Sequence, residues 1–365
     1  MLNEHVLSDH TGRTSNEVLS LLFHPTEQML LSGDISGCID FNLFDLDTRT
    51  VSIPCGMNRK PFRPHKDGSC RSLDFFSQSN KIASAGSDGR IVLSSFDPRV
   101  VAKWKFADPV GVVRVMTESL LVAGDDEGRL IGIDIREKKS VFRLHEQRDF
   151  ISSLTIGNSE SPLKCVLSTS GDLSVAAFDL RCKKMLAMSD QQEDEINCAT
   201  MLNGEQHFIT GGSNGVVGVW KQGYWGDVKD RIPLYNKGEG LDGSRSIEHL
   251  KKLDEKRFIV ASSDGIIRLM NLYPNTLERV VGVHTTKDGK EVATISAMDC
   301  DVDSGLVATA CGDESGTIKF WSVSAEAQTD HIVKESSAKK VKIAKPATQN
   351  RNREKSNRQT FFGDM

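Results

Sequence analysis

The chain has 365 residues and a net charge of −4, with no apolar run of about 18 residues to cross a membrane, no apolar leader and no Asn-x-Ser/Thr acceptor. Its eight cysteines, at 38, 55, 70, 165, 182, 198, 300 and 311, form no CxxC pair and do not cluster; they suit free, mostly buried thiols in a reducing, intracellular compartment. From Lys334 onward nine basic residues stand against three acidic ones, a balance of +6, so residues 1–333 carry −10: an acidic body with a basic appendage.

Seven copies of one pattern follow in chain order. Each opens on an apolar pair and a small-residue turn: Leu30-Leu31-Ser32-Gly33, Ile82-Ala83-Ser84-Ala85, Leu121-Val122-Ala123-Gly124, Val166-Leu167-Ser168-Thr169, Phe208-Ile209-Thr210-Gly211, Ile259-Val260-Ala261-Ser262 and Val307-Ala308-Thr309-Ala310. The turn glycines are Gly37, Gly89, Gly128, Gly215, Gly265 and Gly316, with Leu173 in the glycine's place in the fourth copy. The intervals of 52, 39, 45, 42, 50 and 51 residues each hold four short strands and their turns. After each turn the residues alternate, as in Gly316-Thr317-Ile318-Lys319-Phe320-Trp321, and another short strand precedes each apolar pair, as in 18–23, 69–76, 110–116 and 293–300. No long stripe of period 3.6 appears, which disfavours helical solenoids.

The expected fold is therefore all-β: a seven-bladed β-propeller over 1–325, with a basic tail over 326–365 expected to be disordered. Nothing strand-like follows Trp321-Ser322-Val323 before the tail turns charged. A ring with no open edge then needs its last sheet completed from the N-terminus, and the segment His5 to Ser8 is expected to supply that strand.

Seven such copies in register over about residues 5–323 resemble the WD-repeat family. The resemblance implies a hydrogen-bonded set of a His before the first strand, a Ser or Thr in the second, a turn Asp and a third-strand Trp. His284, Thr309, Asp313 and Trp321 match it in the last copy, and most other copies lack the Trp; His65 and His145 also precede first strands. Four further elements are similar to those of the WD repeat-containing protein 55 family: Gly223-Tyr224-Trp225-Gly226-Asp227, Asp230-Arg231 downstream, Tyr273-Pro274-Asn275 after the sixth copy and the terminal Phe361-Phe362 pair. Unlike some members, the chain starts almost directly on its first blade, without an acidic leader. That resemblance implies a nuclear and mainly nucleolar scaffold, also present in the cytoplasm, that supports ribosomal RNA production and ribosome biogenesis through protein partners in pre-ribosomal complexes. It implies no catalysis and no cofactor.

The remaining candidates carry open readings. Lys339, Lys340, Lys342, Lys345, Arg351, Arg353, Lys355 and Arg358 suit a nuclear-import signal, a weak salt-sensitive contact with RNA phosphates, or a solvated tail. Phe361 and Phe362 read as anchors in a partner's groove or as residues folding back onto the propeller. Trp225, with Asp227 and Arg231, reads as a partner-binding loop or as local packing of a long connector. The endings Phe96-Asp97-Pro98-Arg99, Ile133-Asp134-Ile135-Arg136 and Phe178-Asp179-Leu180-Arg181 approach the Trp-Asp-x-Arg ending of substrate receptors of cullin-RING ubiquitin ligases, so Arg136 and Arg181 are candidates for an adaptor contact or plain surface ion pairs. Gly211-Gly212-Ser213-Asn214-Gly215 matches GxSxG but falls in a strand-to-strand turn, not the strand-to-helix elbow that a nucleophile needs. Gly238 to Gly243 matches GxGxxG without the flanking strand and helix of a dinucleotide site. No HExxH, Cys/His quartet or acidic calcium loop appears, and Asp299, Asp301 and Asp303 read as turn polarity.

Overall fold

The computed structural model describes residues 5–7, 16–45, 50–52, 62–137, 139–156, 165–202, 204, 206–234, 245–285, 292–312 and 316–323. Among them there is no helix. Seven four-stranded antiparallel sheets follow one another as the blades of a propeller. Blade 1 runs Val18–Phe23, Met29–Asp34, Ile39–Asp45 and Thr50–Ser52. Blades 2 to 6 span 70–105, 110–145, 151–188, 196–233 and 247–283, and blade 7 contributes Ile295–Asp301, Leu306–Cys311 and Ile318–Ser322. The strand His5–Leu7 completes blade 7: His5 lies opposite Phe320, Val6 opposite Lys319 and Leu7 opposite Ile318. The expected closure is thus formed over residues 5–7; Ser8 lies outside the described residues.

The second strand of each blade carries the core. In Met29–Asp34 every residue is buried, because alternate side chains enter opposite faces of a sheet and both faces are covered. Leu30 joins a cluster with Ala308, Ile318 and Phe320 of blade 7, whereas Leu31 joins one with Cys70, Leu73 and Ile82 of blade 2. The same division recurs around the ring, giving seven apolar clusters, one at each junction between neighbouring blades. A single blade has no core of its own, so burial of roughly 25 cal/mol per Å² is gained only by stacking.

The hub is built by a repeated irregularity. Each first strand has a bulge at the same place, between Val18 and Ser20, Cys70 and Ser72, Val110 and Val112, Ile151 and Ser153, Ile196 and Cys198, Ile247 and His249, and Ile295 and Ala297. A bulge re-aims the extra residue. Leu19, Arg71, Gly111, Ser152, Asn197 and Glu248, the extra residues of blades 1 to 6, line a central cavity of about 160 Å³. From this inner layer at least one side chain per junction bonds the next blade's backbone. Ser20 donates to Cys70 O at 3.3 Å, Ser72 accepts from Val113 N at 3.2 Å and Arg114 Nε donates to Leu154 O at 3.2 Å. Ser152 donates to Ile196 O, Asn197 to Ile247 O at 3.1 Å, His249 to Ser296 O at 2.9 Å and Ser296 to Val18 O at 2.6 Å. The seventh bond returns the ring to blade 1.

One turn departs from glycine chemistry. Leu173 holds φ at 72°, where Gly37, Gly89, Gly128, Gly215, Gly265 and Gly316 hold theirs between 58° and 81°. A leucine there meets the steric cost that glycine avoids; the buried hydroxyls of Ser170 and Ser174, bonded to Asp149 O and Asp172, hold that turn in place.

Candidate functional site

The histidine sets brace the ring from within. In blade 7 His284 Nδ1 lies 2.9 Å from Thr309 Oγ1, which also accepts Trp321 Nε1–H at 2.8 Å. Asp313 lies outside the described residues. In blade 2 His65 bridges Ser84 at 2.9 Å and Asp88 at 3.0 Å, all fully or nearly fully buried. Burial holds the His65 imidazole below its ordinary pKa; for Asp88 burial alone would raise the carboxyl, but hydrogen bonds from His65 and Arg90 bring it below the usual carboxylate range. His145 does not take this role. It ends the outer strand Lys139–His145 of blade 3 and is exposed; two residues later Gln147, 1% exposed, bonds Ser168 and Ser174 Oγ in the histidine's place. Trp220 was missed: its Nε1–H donates to Thr210 Oγ1 at 3.0 Å, as Trp321 does to Thr309.

Two of the cations that line the central cavity are paired with carboxylates. Arg71 donates two bonds to Asp126, and Lys251 lies 2.7 Å from Asp299. Asp299 also accepts Phe23 N–H at 2.7 Å, so it clamps blades 6, 7 and 1 together and is more than turn polarity. Burial pushes the His249 imidazole down to about 4. The unfolded ring protonates near 6.5, so between those values the unfolded chain binds the extra proton and stability falls as pH falls. Part of His249 faces the cavity, and solvent there trims the effect. Unfolding in urea at pH 6.5 and pH 4.5 is expected to show a loss that shrinks by about 1–2 kcal/mol in His249→Gln; an unchanged pH dependence in that variant would reject the assignment.

The Gly223–Arg231 connector and the Tyr273–Asn275 turn meet on one face. The turns after third strands in blades 5 and 6 lie at the same end of their sheets. Lys229 Nζ donates to Tyr273 Oη at 2.9 Å and sits 5.2 Å from that ring's centre, His207 Nε2 lies 3.2 Å from the same hydroxyl, and Asn275 donates to Asp230 at 2.7 Å. Trp225 turns inward. Its ring is 7% exposed and lies edge-on to Phe208, which favours local packing and leaves Tyr224, 68% exposed, as the outward aromatic of the connector. Asp227 and Arg231 approach to 3.8 Å, and Arg231 donates to Gln192.

The Asp-x-Arg endings form clamps. Arg136 grips Asp134 through Nε at 3.1 Å and Nη2 at 2.7 Å, and Arg181 grips Asp179 at 3.3 and 2.9 Å. Each guanidinium holds its carboxyl down at about 2. Both arginines stay exposed, so the ion pair and an open outer edge coexist. Ser213 lies in a turn between strands, bonded by its backbone to Glu195 O at 2.9 Å, with no elbow. Residues 238–243, the basic run Lys339 to Arg358 and Phe361 and Phe362 lie outside the described residues.

Known proteins agree with this architecture. A family profile described as "WD domain, G-beta repeat" matches residues 3–40 and 56–93. An uncharacterised WD repeat-containing protein of Schizosaccharomyces pombe is 28% identical over 320 residues, 84% of this chain and 82% of that one. A WD repeat-containing protein 55 homologue of Dictyostelium discoideum is 28% identical over 330 residues, 90% of this chain and 74% of its own length. WD repeat-containing protein 55 of Arabidopsis thaliana is 28% identical over 266 residues, 72% and 70% of the two chains. The chain is a WD-repeat β-propeller, a fold that typically serves as a non-catalytic scaffold for protein interactions. Within that class it resembles WD repeat-containing protein 55 and its homologues over most of its length.

Proposed function

We propose that this protein is a nucleolar scaffold that supports ribosomal RNA production and ribosome biogenesis by holding protein partners of pre-ribosomal particles. The observation that carries the reading is the junction of blades 5 and 6. There the Gly223–Arg231 connector and the Tyr273–Asn275 turn, which resemble elements of the WD repeat-containing protein 55 family, are tied by the bonds of Lys229 and Asn275 into one surface. The basic residues Lys339 to Arg358 supply a nuclear-import run, with RNA contact as a secondary, salt-sensitive role. Phe361 and Phe362 are proposed anchors for a partner's groove.

The test is localisation together with affinity purification and mass spectrometry. Tagged chain is expected in nucleoli with large-subunit assembly particles, and Lys339→Ala/Lys340→Ala/Lys342→Ala is expected to shift it to the cytoplasm. Recovery of a cullin-RING adaptor, lost on Arg136→Ala or Arg181→Ala, with no pre-ribosomal proteins would reject the reading in favour of a ligase receptor.

A further inference from the structure

Charge is not spread evenly around the ring. The turn and outer strand that close blades 2, 3 and 4, residues 97–105, 134–145 and 179–188, hold ten basic residues against four acidic ones, a net +6. The corresponding stretches of blades 1, 5 and 6 (45–52, 221–233 and 271–283) sum to zero. Since residues 1–333 carry −10, everything else in the body carries −16. One sector of an acidic ring is therefore strongly positive.

Two contacts make that sector a single surface. Arg143 on the outer strand of blade 3 lies over the Phe106 ring, just past the outer strand of blade 2, at 5.2 Å from its centre. Lys183 in the blade 4 turn donates to Val141 O of blade 3 at 3.3 Å. Lys103, Lys139, Arg143 and Lys184 are exposed on these strands. The outer strands of blades 2 and 4 also carry three exposed aliphatic side chains, Val100, Val101 and Leu186, at 46–55% exposure. The outer edges of these three sheets carry no further paired strand among the described residues.

We propose that this band is a docking surface for an acidic protein segment that carries aliphatic side chains. Lysine on an open edge repels a second copy of the same edge and attracts carboxylates. Val100, Val101 and Leu186 gain from an apolar partner and add nothing to a phosphate contact. No exposed aromatic lies among them for bases to stack on. The band reaches beyond the nucleolar reading and does not depend on it.

Fluorescence anisotropy on the full chain tests it, with a labelled Glu-Glu-Leu repeat peptide as probe. Lys103→Glu/Lys139→Glu/Lys184→Glu is expected to weaken binding at least about tenfold with an unchanged melting curve. Val101→Ser/Leu186→Ser, which leaves the charge intact, is expected to weaken it by about fivefold, and a Glu-Glu-Ser peptide is expected to bind unaltered chain less tightly. Reversal of Lys339, Lys340 and Lys342 to Glu is expected to leave affinity for the Glu-Glu-Leu peptide within about twofold. The proposal is overturned if the band variants bind like unaltered chain, if only the tail reversal abolishes binding, or if an oligouridylate binds the band more tightly than the peptide, which would make it a nucleic-acid surface.

Discussion

Trp321→Ala is expected to destabilise the chain by about 3–5 kcal/mol, the usual cost of emptying a buried aromatic site. The indole is 4% exposed and fills the junction between blades 6 and 7 with Leu269, Val281 and Val307. It lies against Gly282, where an added Cβ would come within 2.1 Å of the ring, so the site was shaped around it. Its Nε1–H satisfies Thr309 Oγ1, the hydroxyl that also meets His284. Thermal melting should fall by about 5–7 °C, given roughly 1.5 °C per kcal/mol for a folded body of about 320 residues at about 2.1 cal/mol/K of unfolding entropy per residue. Trp321→Phe keeps most of the apolar volume and loses the hydrogen bond, so it should cost only about 1–2 kcal/mol. An alanine variant melting within a degree or two of the unaltered chain would show that the set does not brace the junction.

Removal of residues 1–12 is expected to lower the melting temperature by about 3–6 °C, corresponding to about 2–4 kcal/mol. The strand His5–Leu7 is the only partner on the outer side of Ile318–Ser322 among the described residues. Without it the outer backbone groups of that strand lose their partners and face water. The loss then spreads, because Phe320 and Ile318 belong to the cluster that joins blade 7 to blade 1, with Phe23 and Phe44 packed 6.1 and 5.5 Å from Phe320. An unchanged melting curve would contradict closure by the N-terminus.

Much of this was legible in the sequence because it repeats. The turn glycines need positive φ, and six of the seven positions show it as glycine; Leu173 shows the same conformation without the residue that usually marks it. The apolar pairs marked the second strands, whose two faces must each meet a neighbouring blade. Closure followed from the absence of a last strand. What was not legible depends on register in space. His145 precedes a first strand in order but ends the strand before it, and Gln147 has no motif to announce it. Trp220 holds in blade 5 the place of Trp321 with no histidine before the blade, and its distance from Thr210 is close to that of Trp321 from Thr309. The bulges at the hub leave no compositional mark: the extra residues include Leu19, Arg71, Gly111 and Glu248, which share nothing but position. The meeting of Tyr273 with Lys229 and of Asn275 with Asp230, 44 and 45 residues apart, needed the fold to bring two blades side by side.

The most direct measurement of the central claim is amide hydrogen exchange, read residue by residue, in the full chain and in a chain lacking residues 1–12. A ring closed by its first strand requires the outward amides of residues 318–320 to be protected about as well as those of the inner strands, and to lose that protection selectively when residues 1–12 are removed. Equal exchange of those amides in both chains would mean that blade 7 ends on an open edge, and the closed seven-bladed platform would not stand.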